Sequence, residues 1–190
     1  MTLQTPQPPP SALRAVLAAL DSETALRQPA AAALLHPAGP LLPAHPLAVY
    51  VLDGPRPELR AARRTGWRFL IKDGPEVAAA AEVVQGVEGH AFSHFTAGPY
   101  LDSTVRALRQ AWQLAQSSRA RQQPRLLTFP GQYATALWLH SPDAGPASDL
   151  LIPLAPAPLG VTAHRAYPAG DLLAALARTP LAGSLLLGSP

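Results

Sequence analysis

Residues 125–140 read RLLTFPGQYATALWLH, and the reading of this stretch decides the fold. Leu126, Leu127 and Phe129 precede Pro130-Gly131, and Tyr133, Thr135, Leu137, Trp138 and Leu139 follow it. Runs of aliphatic, aromatic and β-branched residues broken by a turn pair specify a strand, a reversal and a second strand. Proline presets the first φ of such a turn and glycine accepts a positive second one, so a type II turn is expected at Pro130-Gly131.

Upstream, Gly98-Pro99 opens a helix expected over residues 100–118. At 100° per residue Leu101, Val105, Leu108, Trp112 and Ala115 share one stripe, widened by Ala107, Ala111 and Leu114. Asp102, Arg106, Arg109, Gln113 and Gln116 take the opposite side. The stripe is expected to lie against the hairpin through Val105 and Leu108. Downstream, Leu150–Leu154 offers a third strand, which Pro153 assigns to a sheet edge. A short helix is expected from Pro168 to Arg178, with Leu172, Leu173 and Leu176 inward and Thr179-Pro180 as its stop.

The first half reads less regularly. Ser11 is a candidate N-cap before Leu13, Val16, Leu17 and Leu20, which fall at the spacing of one helix face. A turn-rich segment follows from Glu23 to Leu35. Pro37, Pro40, Pro43 and Pro46 forbid helix across residues 36–46. Leu47–Leu52 is strand-like, Glu58–Arg64 reads as a short basic helix, and Trp67–Lys72 and Val77–Val84 flank Asp73-Gly74-Pro75 as a hairpin. Helices and hairpins intermix with too few strand–helix alternations for a doubly wound sheet. The expected fold class is therefore α+β: an antiparallel sheet of hairpins or a meander, with helices packed mainly on one face. A disordered proline-rich tail, residues 1–10, is expected before a single domain, residues 11–190.

Composition narrows the function classes. The 190 residues contain no cysteine, which removes disulfide scaffolds, thiolate metal sites and cysteine nucleophiles. No aliphatic run approaches the roughly 20 residues needed to span a bilayer, and residues 1–10 lack the features of a secretory leader. A cytoplasmic, non-membrane protein is expected. The net charge is +3, and of the 15 basic residues all but Lys72 are arginine. With abundant alanine and 23 prolines, that usage fits a bacterial protein from a GC-rich genome.

Candidate chemistry is sparse. His90 and His94 stand four apart in Gly-His-Ala-Phe-Ser-His-Phe, a spacing that on a helix would place both imidazoles on one face as metal ligands. The glycines around them disfavour a regular helix, and the duller alternative is a loop anchored by Phe92 and Phe95. No Gly-x-Ser-x-Gly elbow, P-loop or Gly-x-Gly-x-x-Gly occurs, so nucleophilic and nucleotide-dependent chemistry have no carrier and no cofactor is expected. Acid pairs for general acid–base work would have to come from Asp53, Asp73, Glu76, Glu82, Glu88, Asp102 and Asp149, among which spacing does not choose. The most biased feature is electrostatic. Between Asp102 and Asp143 no acid occurs, whereas Arg106, Arg109, Arg119, Arg121 and Arg125 do. They are the candidate anion- or partner-binding residues. Arg56, Arg60, Arg63, Arg64 and Arg68 form a second group. The leading expectation is a non-catalytic binding or protein-interaction module with a protein partner or a second copy of itself. A small metal-dependent hydrolase using His90 and His94, and a nucleic-acid-associated protein using the arginines, are the alternatives.

Overall fold

The computed structural model describes residues 3–54, 58–117 and 121–178. Eight strands, mostly antiparallel, and four α-helices occur among them, which makes the chain α+β. Its contacts divide into two compact units where one domain is expected from length. The first is built from Thr5–Val49 and Thr65–Val105. The second is built from the described parts of Met1–Gln4, Tyr50–Arg64 and Arg106–Pro190.

In the first unit the strands stand in the order β4-β3-β2-β1, with β1 at Leu41–Val51, β2 at Arg63–Asp73, β3 at Glu76–Gly86 and β4 at Gly89–Thr96. The hairpin at Asp73-Gly74-Pro75 forms as the sequence predicts, with Asp73 opposite Glu76 and Gly74 supplying φ +58°. The Asp73 carboxylate accepts from the Ala38 and Gly39 N–H groups at 2.8 and 2.9 Å, fixing the entry to β1. That strand begins at Leu41, earlier than expected, and accommodates Pro43 and Pro46 by letting His45 take φ +46°. The basic helix expected at Glu58–Arg64 is only a 3-10 turn, Leu59–Ala61, because Arg63 and Arg64 already belong to β2.

Helix α1, Pro10–Leu20, starts at a proline whose missing N–H is spared by the first-turn position. It buries Ala12, Val16 and Ala19, and leaves Leu13 and Leu17 about 40% exposed. Small residues take the inner face because they allow the helix close to the sheet. Helix α2, Glu23–Leu26, and a 3-10 segment, Pro29–Leu34, follow, the latter burying Ala31 and Leu34.

Helices do not keep to one face of this sheet. Trp67, Phe69 and Ile71 of β2, with Ala79, Ala81 and Val83 of β3, form one buried side. His90 of β4 meets Ser11 of α1 at 2.8 Å on that side. The opposite side carries Arg68 beside Glu82, and the Arg68 guanidinium also reaches Thr104 Oγ1 at 3.0 Å. Thr104 lies on helix α3, Pro99–Ser117. Both sides of these strands carry apolar residues, so both require cover.

The Arg68–Glu82 pair keeps only 17% and 12% of its side-chain surface, and the Thr96 hydroxyl is a second donor to the carboxylate. Removing one member of such a pair leaves a charge in a poorly solvated place. Glu82→Ala should therefore cost about 2–3 kcal/mol in urea unfolding, and Arg68→Met with Glu82→Leu should recover most of that. Equal losses in the single and double variants would show that the pair is not the cause.

In the second unit the order is β5-β6-β7-β8, from Gln123–Phe129, Ala134–His140, Leu150–Pro153 and Tyr167–Pro168. The predicted hairpin is present, with Phe129 opposite Ala134. Its reversal differs from the expected turn. Pro130–Gln132 form a 3-10 turn and Tyr133, at φ +48°, takes the left-handed position expected of Gly131. Helix α4, Ala169–Arg178, begins one residue later than expected, since Pro168 pairs in β8. Leu127, Phe129, Ala134, Ala136, Trp138 and Leu151 pack with Leu172 and Leu176 of α4 and with Leu52 and Leu59. The opposite side chains Leu126, Leu137, Leu139 and Ile152 are buried as well. Near the start of the chain, where a free tail is expected, Leu3 is 4% exposed. It bridges Gln122 in parallel, and the Gln4 N–H donates to the Gln122 carbonyl at 2.9 Å.

Candidate functional site

The residues singled out by sequence separate in the structure. His90 and His94 lie on β4, not on a helix or loop, and the register slips between Glu82 and Val83. His90 stands opposite Gln85, Phe92 opposite Val83 and His94 opposite Glu82, so Ser93 is the extra residue of a bulge. That residue puts the two imidazoles on opposite sides of the strand. His90 Nδ1 contacts Ser11 Oγ, whereas His94 Nδ1 contacts Ser93 Oγ at 3.0 Å. Among the described residues no group of three His, Cys, Asp or Glu side chains is placed to hold a metal ion.

The arginines also part company. Arg106 and Arg109 are exposed on α3, and Arg121 is exposed before β5. Arg119 lies outside the described residues, as does Arg56. Of the second group, Arg60 pairs with Glu58, while Arg68 is consumed by Glu82.

Arg125 is different. It sits on β5 directly opposite Trp138 of β6. Its guanidinium carbon lies 4.9 Å from the Trp138 ring centre and 5.2 Å from that of Tyr50, and the two rings meet edge to face at 5.3 Å. Contacts of this kind contribute roughly 0.5–2 kcal/mol each, more as water is excluded. Nη2 donates to Gln123 Oε1 at 3.1 Å. Burial holds the guanidinium below its ordinary pKa, offset in part by Tyr50 and Asp149. It remains a cation at neutral pH.

Behind Trp138 lies Asp149, fully buried. Its carboxylate accepts from Trp138 Nε1 at 2.7 Å, from His140 Nδ1 at 3.0 Å and from the Ser141 N–H at 2.8 Å. A carboxylate can only accept, so the proton of the His140 contact belongs to Nδ1 and the outward Nε2 is left for other partners. The Asp149 carbonyl accepts from the Ala169 N–H at 3.0 Å, joining the same residue to the first turn of α4. One side chain thus fixes a tryptophan, orients a histidine and closes the loop 141–149.

That loop forms one wall of an apolar groove. Pro146 and Ala147 line it together with Gly170, Leu173, Ala174 and Ala177 of α4 and with Glu58 and Leu59, around a volume of about 480 Å³. This lies within the range of roughly 300–1,000 Å³ usual for ligand sites, although here hardly a polar group converges on it.

Sequence reasoning places Arg125 among its candidates, considers His140 only as a further ligand beside His90 and His94, leaves Asp149 among acids that spacing does not rank, and gives Tyr50 and Trp138 no site role. A signal existed in Trp138: a buried indole N–H requires an acceptor. Asp149 is one of few acids in the second half of the chain and closes the polar loop that follows that strand. No family model, curated protein or solved structure matches the chain, so the reading of this site rests on its own geometry.

Proposed function

We propose that the chain is a non-catalytic binding module, a cytoplasmic bacterial protein that receives an aliphatic segment of a protein partner in the groove between α4 and the loop 141–149. The single observation that carries this reading is the character of the lining. It is aliphatic and small, and its one charged residue, Glu58, is already engaged by Arg60. Gly170, Ala174 and Ala177 bring the surface of α4 close to an incoming chain, an arrangement suited to apolar side chains and not to a polar substrate. Asp149 supports the same reading: its hydrogen bonds hold the loop wall in place. No described helix is long and apolar enough to cross a membrane. The exposed Arg106, Arg109 and Arg121 keep nucleic acid as the alternative partner, while the placement of His90 and His94 on opposite sides of β4 lends no support to a metal-dependent reading.

The test is a photo-crosslinking side chain at position 174, compared with one at Glu88 on the β3–β4 turn. Position 174 should yield a discrete adduct with a partner or a second copy, and position 88 should not. Ala177→Arg should weaken that association at least about tenfold, because a charge enters a desolvated contact. Both positions are exposed, so stability should move by no more than about 0.5 kcal/mol. An adduct indifferent to Ala177→Arg, or none at all, would remove the groove as the contact surface.

A further inference from the structure

We propose that Gln123, Arg125 and His140 form a binding subsite for a single oxyanion group, a phosphate or carboxylate, carried by a small ligand. The placement follows from register. Gln123 stands opposite His140 and Arg125 opposite Trp138, so the four side chains occupy one face at the open end of the β5–β6 hairpin. Trp138 and Tyr50 form the apolar floor.

Among the described residues Arg125 has no ion-pair partner. Arg27, Arg60 and Arg68 each have a carboxylate within ion-pair distance. Asp149 is the nearest candidate by its electrostatic effect, but its oxygens are taken by Trp138, His140 and Ser141. Arg125 is nevertheless partly buried, and among the described residues one of its five N–H groups has a hydrogen-bond partner, Gln123. A partly desolvated guanidinium with free N–H groups is a receptor for the planar pair of oxygens that carboxylates and phosphates present.

His140 completes the set. Its ring stands edge-on to Trp138 at 5.3 Å and retains about a fifth of its side-chain surface. Because Nδ1 is held by Asp149, Nε2 faces outward in a fixed orientation. It accepts the hydroxyl of a hydrogen phosphate, or donates to a carboxylate once protonated. Gln123, whose oxygen is taken by Arg125, keeps its amide N–H groups for the same ligand. This subsite is independent of the groove: none of its residues lines that surface.

The test is titration of the full chain, at constant ionic strength set with chloride, with inorganic phosphate and separately with acetate. The Trp138 Nε1–H and His140 ring resonances are followed by NMR. Saturable shifts of both with at least one anion are expected. Arg125→Gln and His140→Gln should each weaken that binding at least about tenfold, and Arg125→Lys should restore only part of it because the fork is lost. Phosphate alone shifting the signals would identify a phosphoryl group, and acetate alone a carboxylate. If Arg125→Gln does not fold, His140→Gln carries the same comparison. No saturable shift with either anion, shifts that survive both substitutions, or shifts seen only with a single-stranded oligonucleotide would each overturn the subsite.

Discussion

Gly66→Ala should be among the most damaging single-methyl changes in this chain, costing more than about 3 kcal/mol and lowering the urea midpoint accordingly. Gly66 lies in β2 opposite Val84 of β3, with ordinary strand backbone, so a positive φ is not the reason for glycine here. The reason is space. A Cβ at this position would fall inside the contact shell of the Val83 carbonyl oxygen, and lie 3.0 Å from the Val83 carbonyl carbon and 3.1 Å from the Val84 Cα. All three are backbone atoms. A side-chain neighbour would rotate away, but here the two strands themselves must separate.

The damage should spread in a defined direction. Trp67, Phe69 and Ile71 follow on the same strand and are almost wholly buried, so opening the pair at Gly66 wets that side of the first unit. Hydrogen exchange should therefore rise in β2 and β3 before it rises in β5 and β6. Gly74→Ala provides the contrast. Nothing lies within 4 Å of a Cβ there, and its cost comes only from the left-handed backbone, φ +58°. That cost is about 1 kcal/mol. Comparable losses from the two substitutions would mean that close strand approach is not what glycine supplies at position 66.

These contrasts mark what local pattern can convey. The hairpins at Asp73-Gly74-Pro75 and Pro130-Gly131, the long helix after Gly98-Pro99 and the last helix are legible because turn residues and periodicity act over a few positions. Strand β4 is not, since its glycine flanks and alternating small and polar residues resemble a loop until β3 supplies a partner. The Ser93 bulge is likewise invisible, yet it decides that His90 and His94 face apart. The division into two units depends on segments such as Tyr50–Arg64 returning to a distant part of the chain, and spacing carries no record of that return. The candidate site fails to appear for the same reason. Asp149 reads as one more solvated acid until Trp138, His140 and Ser141 converge on it.

That convergence sets the second large expectation. Asp149→Ala should cost about 3–5 kcal/mol, because three donors that share one buried acceptor are stranded together. The indole of Trp138 loses its partner beneath Arg125 and Tyr50, the Ser141 N–H loses the contact that starts the loop, and His140 loses the contact that aims its ring. Asp149→Asn separates size from charge. The amide retains an acceptor oxygen for one or two of the donors, but its NH₂ meets an N–H where the carboxylate met it with a lone pair. Its cost should be about 2 kcal/mol, read from the urea midpoint. The Trp138 Nε1–H resonance should move in both variants and report local repair or its failure. Since Pro146 and Ala147 hang from the loop that Asp149 closes, partner crosslinking from position 174 should fall in Asp149→Asn even where the fold survives. Full stability in Asp149→Ala would mean that the loop and the indole find other acceptors. In that case the carboxylate is not what holds the groove wall.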